Sequence, residues 1–357
     1  MKPRKLPARR AIAFLGTLTA LTLSACGGNS ETLTPAGIPQ LSPATGSAFN
    51  GDCAALQPLL TSLVNTTITL ATTVPAGSLT VAGSPIQEHC RLVGKMNQRV
   101  SPVDGNNYAI GFEIRMPKNW NGRFFYQANG GIDGNIGTAT GGIGGGGALS
   151  NGLSKGFAVL SSDAGHSGPT PFFGLDPQAR LDYGYNAVSQ LTPMAKNLIK
   201  TVYGKSPDRS YLVGCSNGGR HAMVAASRYA DQYDGIVAGD PGFNLPKAAV
   251  AQLWGVQQYA GLATATVGTT GLPDITTSFT VAELNMVSTK ILDKCDALDG
   301  ATDGLIGDLK ACQSAFNLNR DVPACTGARD GTCLTYAQKT VLANVHSGAR
   351  NSSGAAI

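Results

Sequence analysis

Apolar residues along this chain follow two different spacings, and the two alternate. Apolar alternation or short apolar runs at 108–115, 123–127 and 157–161 predict β-strands, with Gly, Asn and Pro turns between them. From residue 183 to residue 203 the apolar positions recur at helical spacing instead, which predicts a helix. The alternation then continues with a strand at 210–214, a helix at 219–229 and a strand at 235–238.

Alternating strands and helices of this length predict an α/β protein whose mostly parallel sheet is covered by helices on both faces. As far as the strand at 235–238, the order matches the α/β-hydrolase fold. Beyond about Asp240 the composition changes to helical segments rich in Ala, Thr and Gly, followed by a loop rich in Asp. We therefore expect a core domain at 53–240 and a separate, here incomplete, lid domain at 241–357.

The first 26 residues have the features of an export signal. A basic start is followed by an apolar segment at 11–23 that is too short to span a bilayer. Leu23-Ser24-Ala25-Cys26 resembles a bacterial lipobox, in which Cys26 is lipidated, and ordinary cleavage nearby is the alternative. We expect an exported protein that is anchored by lipid to the cell envelope, in the outer membrane if the cell has one, or secreted. Residues 27–52, rich in Ser, Thr, Pro, Gly and Ala, predict a flexible linker.

The charge balance excludes one class of partner. The formal charge of +5 at pH 7 comes from residues 1–26, which carry five Lys and Arg and no acidic residue, so the remainder is neutral. No stripe of Lys and Arg with interleaved aromatic residues follows. Nucleic acid binding is therefore not predicted.

Eight cysteines are present, and export makes disulfides the expected state of most of them. Setting aside Cys26 leaves seven, so one cysteine is free or has its partner elsewhere. No C-x-x-C pair or histidine cluster accompanies them, which argues against a zinc site. Spacing does not fix connectivity, but nearest-neighbour pairing joins Cys53 to Cys90, Cys295 to Cys312 and Cys325 to Cys333, and leaves Cys215 over.

One short motif carries candidate chemistry. Gly214-Cys215-Ser216-Asn217-Gly218 follows an apolar strand and precedes a helix, which is the context of a nucleophile elbow. Small neighbours let the strand and the helix approach each other while the serine projects from the turn. We therefore predict that Ser216 is the nucleophile of a serine hydrolase.

The glycine-rich segment at 129–147 allows two interpretations. It is either a mobile surface loop or the loop in which Gly130 or Gly131 presents a backbone N–H to an oxyanion. In the second case the N–H groups of Gly131 and Asn217 would together stabilise the oxyanion formed when Ser216 attacks an ester.

A second loop, at 295–312, includes the segment 296–305, which holds three aspartates at intervals of three and four residues, together with two glycines. Clustered carboxylates of this kind suit calcium, although the spacing is not that of an EF-hand. A solvated acidic turn closed by a disulfide is the alternative. The candidate calcium ligands are Asp296, Asp299 and Asp303, with the backbone carbonyls of Ala301 and Leu305.

Residues 209–241, with Gly-Cys-Ser-Asn-Gly-Gly-Arg followed by Tyr-Asp-Gly-Ile-Val-Ala-Gly, resemble the tannase and feruloyl esterase family, which includes mono(2-hydroxyethyl) terephthalate hydrolases. Asp163-Ala-Gly-His166, Asp182-Tyr-Gly-Tyr185 and the loop at 295–312 resemble further landmarks of that family. The resemblance covers Cys53 to the end of the chain. It implies an α/β-hydrolase core, an inserted lid with a structural calcium ion, and serine-dependent hydrolysis of small aromatic esters: feruloyl, galloyl or terephthalate half-esters.

The same resemblance implies that part of the catalytic machinery is not in this chain. The triad aspartate and histidine of the family follow the calcium loop at a distance that places them beyond Ile357, so we expect a C-terminally truncated sequence. In the family, the cysteine before the nucleophile is bonded to a cysteine beside the catalytic histidine, which implies that the partner of Cys215 is missing. Asp240 is expected to cap a helix rather than to act as an acid. Structural positions are expected for all four histidines: His89, His166, His221 and His346.

Two other functions remain open from the sequence. The chain could be an inactive fragment or a surface-anchored binding protein with a vestigial elbow, and a His-Cys pair downstream in the reading frame would argue against that. It could also be a secreted serine peptidase on the same fold, which would cleave amides and would not depend on calcium.

Overall fold

The computed structural model describes residues 41–142 and 150–357, and residues 44–357 form one compact unit. The predicted export signal at 1–26 with Cys26, and most of the predicted linker, lie outside the described residues. The predicted end of that linker, at residue 52, is wrong. Ser47–Ala48 pairs with Asn119–Trp120, and Thr45 N donates a hydrogen bond to Asp208 Oδ2 at 2.8 Å. The fold therefore includes residues before Cys53, because main-chain pairing fixes this segment.

The described part of the chain contains eleven strands, and the sequence predicts five of them. In chain order they are β1 Ser47–Ala48, β2 Thr66–Val74, β3 Thr80–Val81, β4 Ser84–Pro85, β5 His89–Val100, β6 Asn107–Pro117, β7 Asn119–Trp120, β8 Arg123–Ala128, β9 Ala158–Ser162, β10 Arg209–Cys215 and β11 Gly235–Gly239.

Seven of these strands form the central sheet, in the order β11-β10-β8-β9-β6-β5-β2. Strands β9, β8, β10 and β11 pair in parallel. Strand β6 runs antiparallel to β9, β5 antiparallel to β6, and β2 antiparallel to β5. Five of the seven strands therefore point the same way, which confirms the predicted mostly parallel α/β sheet.

The helices divide between the sheet and the C-terminal part of the chain. The predicted helix at 183–203 is α-helical only from residue 187, because a π-helical turn at Asp182–Asn186 precedes it. The α-helices of the described part are α1 Pro177–Leu181, α2 Ala187–Tyr203, α3 Asn217–Arg228, α4 Leu245–Ala260, α5 Val281–Cys295, α6 Leu309–Ala315, α7 Leu318–Asp321 and α8 Tyr336–His346.

Three separate apolar clusters hold the described elements together. The largest lies between the central sheet and helices α2 and α3, and includes Phe112, Leu160 and Leu198 at full burial. Its size follows from the apolar face of α2, which packs against the sheet along its whole length. A second cluster includes Phe125 and Val159 of the sheet, and a third lies among the C-terminal helices. Whether residues 241–357 act as a lid stays a prediction.

The three predicted disulfides are formed, and Cys215 is free and exposed. Disulfides persist in oxidising compartments, so these bonds fit an exported protein. In the described ranges, no helix is both long and apolar enough to cross a membrane.

Candidate active site

Ser216 lies at the turn between β10 and α3, with φ 58° and ψ −119°. This backbone conformation is costly for any residue other than glycine, so the surrounding structure must hold it in place. Ser216 N donates to Gly239 O at 3.0 Å, and Ser216 O accepts from Gly242 N at 3.1 Å. The side chain is exposed to solvent. The chain therefore forms the strained strand-to-helix turn that a nucleophile elbow requires.

Three glycines around Ser216 are there because the main chains pass too close for a side chain. A Cβ atom added to Gly214 would lie 2.4 Å from the carbonyl carbon of Gly218. At Gly218 it would lie 2.3 Å from Ala128 O, and at Gly219 it would lie 2.3 Å from Gly239 O. Helix α3 can therefore sit directly on the ends of the parallel strands, with its N-terminus beside the serine.

A cavity of about 810 Å³ opens beside Ser216 at the carboxyl ends of the parallel strands. This is the edge at which open α/β sheets bind their ligands. Its described lining comprises Gln127, Ala128, Asn129, Gly130, Thr140, Gly142, Val213, Gly214, Cys215, Ser216, Val237, Gly239 and Asp240.

Asp240 does not cap a helix, and that prediction is wrong. The N-cap residue of α4 is Asn244, four residues further along the chain. Asp240 directly follows β11 with φ 37°, and its Oδ2 lies 3.9 Å from Cys215 Sγ. A strand that turns away after Gly239 to reach α4 leaves the carboxylate beside the elbow instead.

The loop after β8 places backbone N–H groups near the elbow. Asp133 N donates to Gly130 O at 3.2 Å, which closes a turn, and Gly131 within it has φ 66°. In the described ranges, the N–H groups of Gly131 and Asn217 donate no backbone hydrogen bond. Both groups are therefore available to an oxyanion, and their role stays a prediction. The rest of the predicted glycine-rich segment, at 143–149, lies outside the described residues.

None of the histidines is placed to take a proton from Ser216. Within the described part of the chain, no hydrogen bond joins Ser216 Oγ to a histidine. His89 bonds with Gln87 O and Arg115, while His346 ends α8. Burial lowers the pKa of His89, His166 and His221, so these three rings stay neutral near pH 7.

A buried polar network behind the elbow was not predicted. Asn217 Nδ2 donates to Asp133 Oδ2 at 2.6 Å, and His221 Nε2 lies 2.8 Å from the same oxygen. Asn217 Oδ1 accepts from Tyr183 Oη at 2.9 Å and from Arg220 Nε at 2.7 Å. The only sequence signal was an acidic residue inside a glycine-rich loop. The motif that begins at Asp182 thus supports the start of α3.

The motif Asp163-Ala-Gly-His166 lies at a second cavity, of about 370 Å³, against Gly134–Ile136. Asp163 Oδ1 accepts from the N–H groups of Gly111 and Gly165, yet burial of the carboxyl raises its pKa to about 7. The His166 ring stacks on Phe173 with 3.7 Å between centroids. These contacts give the motif a structural position next to the loop that carries Gly131.

The Asp-rich loop follows α5, and its carboxylates bond to the loop's own main chain. Asp296 accepts from Gly304 N, and Asp299 Oδ2 accepts from Gly307 N at 2.6 Å. Asp303 Oδ1 accepts from Leu305 N at 3.0 Å. Across the described residues, no three His, Cys, Asp or Glu side chains are grouped as a metal site. The oxygen donors fit a hard cation chemically, and backbone carbonyls would have to complete the set.

Comparison with known proteins agrees with the geometry. A family model described as tannase and feruloyl esterase matches residues 90–357. The chain is 40% identical over 307 residues to a mono(2-hydroxyethyl) terephthalate hydrolase of Piscinibacter sakaiensis, covering 81% of this chain and 50% of that protein. It is 33% identical over 236 residues to a probable feruloyl esterase B-1 of Neosartorya fischeri, covering 66% of this chain and 41% of that protein.

Among solved structures, feruloyl esterase B from Aspergillus oryzae superposes with a TM-score of 0.65 at 27% identity, over 85% of this chain and 57% of that one. The chain spans about half the length of the curated relatives it matches. The match to the family model covers most of the chain, including the elbow and the loop at 295–312. The protein therefore belongs to the tannase and feruloyl esterase family.

Proposed function

We propose that this protein hydrolyses carboxylic esters of aromatic acids, with Ser216 as the nucleophile. One observation carries the proposal: a serine held at φ 58° on a strand-to-helix turn that three glycines make possible, at the mouth of a large cavity. Family membership and the ester-hydrolase names of the relatives support the same reaction.

In the proposed reaction, Ser216 Oγ attacks the ester carbonyl carbon while its proton passes to a general base. The N–H groups of Gly131 and Asn217 donate to the oxyanion that forms. The C–O bond to the alcohol then breaks, and the alcohol leaves with the proton. Water attacks the acyl group on Ser216 in the same manner and releases the acid. In the described ranges no histidine is hydrogen-bonded to Ser216 Oγ, so no residue is assigned as the base.

The substrate class follows from the relatives and from the cavity. A space of about 810 Å³ accommodates an aromatic ring with its ester group, and it lies within the size range of small-molecule sites. Feruloyl, galloyl and terephthalate half-esters are the candidates, because similar proteins bear the names feruloyl esterase and mono(2-hydroxyethyl) terephthalate hydrolase.

The test is hydrolysis of methyl ferulate, methyl gallate and mono(2-hydroxyethyl) terephthalate by wild type and by Ser216→Ala. Ser227→Ala is the matched control, because Ser227 is an exposed serine on the same helix. We expect turnover by wild type and Ser227→Ala and none by Ser216→Ala. Equal turnover by all three proteins would show that Ser216 is not the nucleophile. Cleavage of a matching anilide in preference to the ester would indicate a peptidase.

We also propose that the loop at 295–312 binds calcium as a structural ion. Support comes from three carboxylates that have no Lys or Arg ion pair among the described residues, and from the positive φ of Gly300 and Gly304, which permits the tight turns. When bound, the ion would cross-link the loop. Chelation should lower the unfolding temperature of wild type but not of Asp299→Asn. The same temperature with and without chelator would count against the site.

For location, we propose export with a lipid anchor at Cys26, so that the membrane is contacted through the anchor alone. The three disulfides support export, and the lipobox-like sequence supports the anchor. Labelling of cells with a fatty-acid probe should mark wild type and not Cys26→Ser. Equal labelling of the two would contradict the anchor.

A further inference from the structure

We propose that Asp133 is a positioning residue that fixes the separation between the two oxyanion N–H groups, those of Gly131 and Asn217. Its catalytic meaning rests on the ester hydrolysis proposed above. The contacts that carry the inference are properties of the fold and can be tested without turnover.

The first step concerns the loop. Asp133 lies two residues after Gly131 in the same turn, which its own N–H closes by donating to Gly130 O. Its φ is 59°, a conformation that is unfavourable for a residue with a side chain. Gly134 N donates to Asp163 O at 3.1 Å, so the far side of the turn is tied to the end of β9. Asp133 is therefore part of a turn that main-chain hydrogen bonds tie at both sides, and movement of the turn would also move its side chain.

The second step concerns the helix. Asp133 Oδ2 takes hydrogen bonds from two residues on the first turns of α3, Asn217 at 2.6 Å and His221 at 2.8 Å. A carboxylate only accepts, so this contact is a hydrogen bond when His221 Nε2 carries the proton; Arg220 Nη2 lies farther from the same nitrogen, at 3.1 Å. Asn217 supplies both the side chain that grips Asp133 and the backbone N–H proposed for the oxyanion. One carboxylate oxygen thus links the loop donor to the helix donor.

The third step concerns rigidity. The Asp133 side chain is 2% exposed. Asn217 donates to it through Nδ2, and the Oδ1 atom of the same amide accepts from Tyr183 and Arg220. The Arg220 guanidinium also packs on the Tyr183 ring, 4.2 Å from its centroid. A buried carboxylate with its donors in place is costly to displace, because movement would leave a charge unpaired away from water.

Asp133 and His221 do not replace a catalytic dyad. Both side chains are buried, and among the described residues neither is hydrogen-bonded to Ser216. The second ring nitrogen of His221 is buried without a partner rather than directed at the serine through a hydrogen bond. Asp133 therefore acts through the main chain of the loop and not on the reacting atoms.

The first experiment is hydrogen exchange of the peptide that covers 129–134, in wild type, Asp133→Ala and Asp231→Ala. Asp231 is the control because it is an exposed aspartate just after α3. We expect exchange in this peptide to be about tenfold faster in Asp133→Ala and unchanged in Asp231→Ala. Unchanged exchange in Asp133→Ala overturns the inference, whatever the turnover.

The second experiment compares kinetics with the ester substrates. Asp133→Ala should lower kcat by about 100-fold, the scale of a lost oxyanion donor, with KM within about threefold of wild type. Asp133→Asn keeps an oxygen that can accept both hydrogen bonds, so it should recover kcat to within about tenfold of wild type. A parallel rise in KM without loss of kcat, or no recovery by Asp133→Asn, would contradict a positioning role.

The two proposals fail separately. If Ser216→Ala turns over esters like wild type, the proposed function is wrong, and the exchange experiment still decides whether Asp133 holds the loop. If Ser216→Ala is inactive while Asp133→Ala keeps full kcat, ester hydrolysis stands and the inference about Asp133 is wrong. Thermal unfolding of each variant, measured alongside, shows whether it is folded.

Discussion

The sheet region at 44–240 and the helical region at 241–357 are held together in different ways. In the sheet region a continuous apolar cluster packs helices onto strands, with one buried disulfide, Cys53–Cys90. The helical region has a small cluster and two disulfides over a much shorter stretch. A segment that buries little apolar surface needs covalent and polar links instead. The buried members of its cluster are Val287, Val322, Leu334 and Leu342.

One polar link of the helical region is the buried carboxylate of Glu283. It accepts from Arg329 Nε at 2.7 Å and Arg329 Nη2 at 2.6 Å, and from Gln338 Nε2 at 3.1 Å. It also completes a capping box by accepting from Thr280 N at 2.8 Å. The Arg329 guanidinium is the main cause that lowers the pKa of Glu283, to about 2. This one side chain thus joins the start of α5 to the loop before α8 and to α8 itself.

Removing that link should have the largest effect on stability. Glu283→Ala leaves the Arg329 charge without a carboxylate partner and should lower the free energy of unfolding of the helical region by about 3 kcal/mol. Denaturant unfolding and hydrogen exchange of α5 and α8 would measure the change. Glu88→Ala, which removes an exposed ion pair with Lys118, should change stability by less than about 0.5 kcal/mol. Similar losses of unfolding free energy in the two variants would show that the buried carboxylate stabilises the protein no more than an exposed one.

The corresponding weak point of the sheet region is steric. Gly218→Ala places a Cβ atom against Ala128 O. It should lower the free energy of unfolding of the sheet region by about 3 kcal/mol and abolish ester turnover. Gly174→Ala is the control, since no atom lies within 4 Å of the added Cβ atom there. A folded, fully active Gly218→Ala protein would show that the elbow tolerates a side chain.

Removing a disulfide should have the next largest effect on stability. The Cys295–Cys312 bond closes a loop with a sequence separation of 17. Replacing both cysteines with serine should lower the free energy of unfolding of the helical region by about 2 kcal/mol, because the unfolded chain gains freedom. Exchange in β8 and β10 should stay as in wild type. Faster exchange in those strands would mean that the two regions unfold as one unit.

The stabilities of the two regions should change in opposite directions as pH rises. This is the smallest of the effects expected here. Glu283 has a lowered pKa, so its stabilisation is present above about pH 4.5 and is lost as pH falls towards 2. Asp163 has a pKa raised to about 7, so the sheet region loses stability as pH rises from about 4 to about 7. Its partial exposure limits the loss to about 1 kcal/mol.

The Asp163 effect can be isolated with Asp163→Asn, which keeps the oxygen that accepts from Gly111 and Gly165. The variant should show no fall in the stability of the sheet region between pH 4 and 7, measured by denaturant unfolding at several pH values. Glu283→Gln should remove the acid sensitivity of the helical region in the same way. An unchanged slope in either variant would assign the pH response to other groups.

Sequence alone predicted the strands with apolar runs and the elbow, because both are local patterns. Strands β8, β9 and β10 are buried on both faces and read as short apolar segments. The elbow is encoded in adjacent residues, since only glycine permits the close contacts around Ser216. The nearest-neighbour pairing of the cysteines was correct, because each of the three disulfides joins cysteines that are neighbours in the chain.

What sequence did not predict depends on contacts between distant residues or on polar strand faces. Strands β2 and β5 carry many Thr, Lys, Arg and Asn residues because part of each faces solvent, which obscures their alternation. Asp133 meets Asn217 and His221 across 84 and 88 residues, a distance that no local pattern spans. Residues 44–52 looked like linker because a two-residue strand leaves no periodic signal.

The three glycines around Ser216 also limit how this protein can change over time. Each meets main-chain atoms that cannot move without displacing a strand or helix, so mutation at those positions offers no gradual route to a new activity. Adaptation to a different ester must therefore come from residues that line the cavity without supporting the turn. An engineer who wishes to alter substrate preference should leave 214–219 untouched and diversify positions such as Thr140 and Val237.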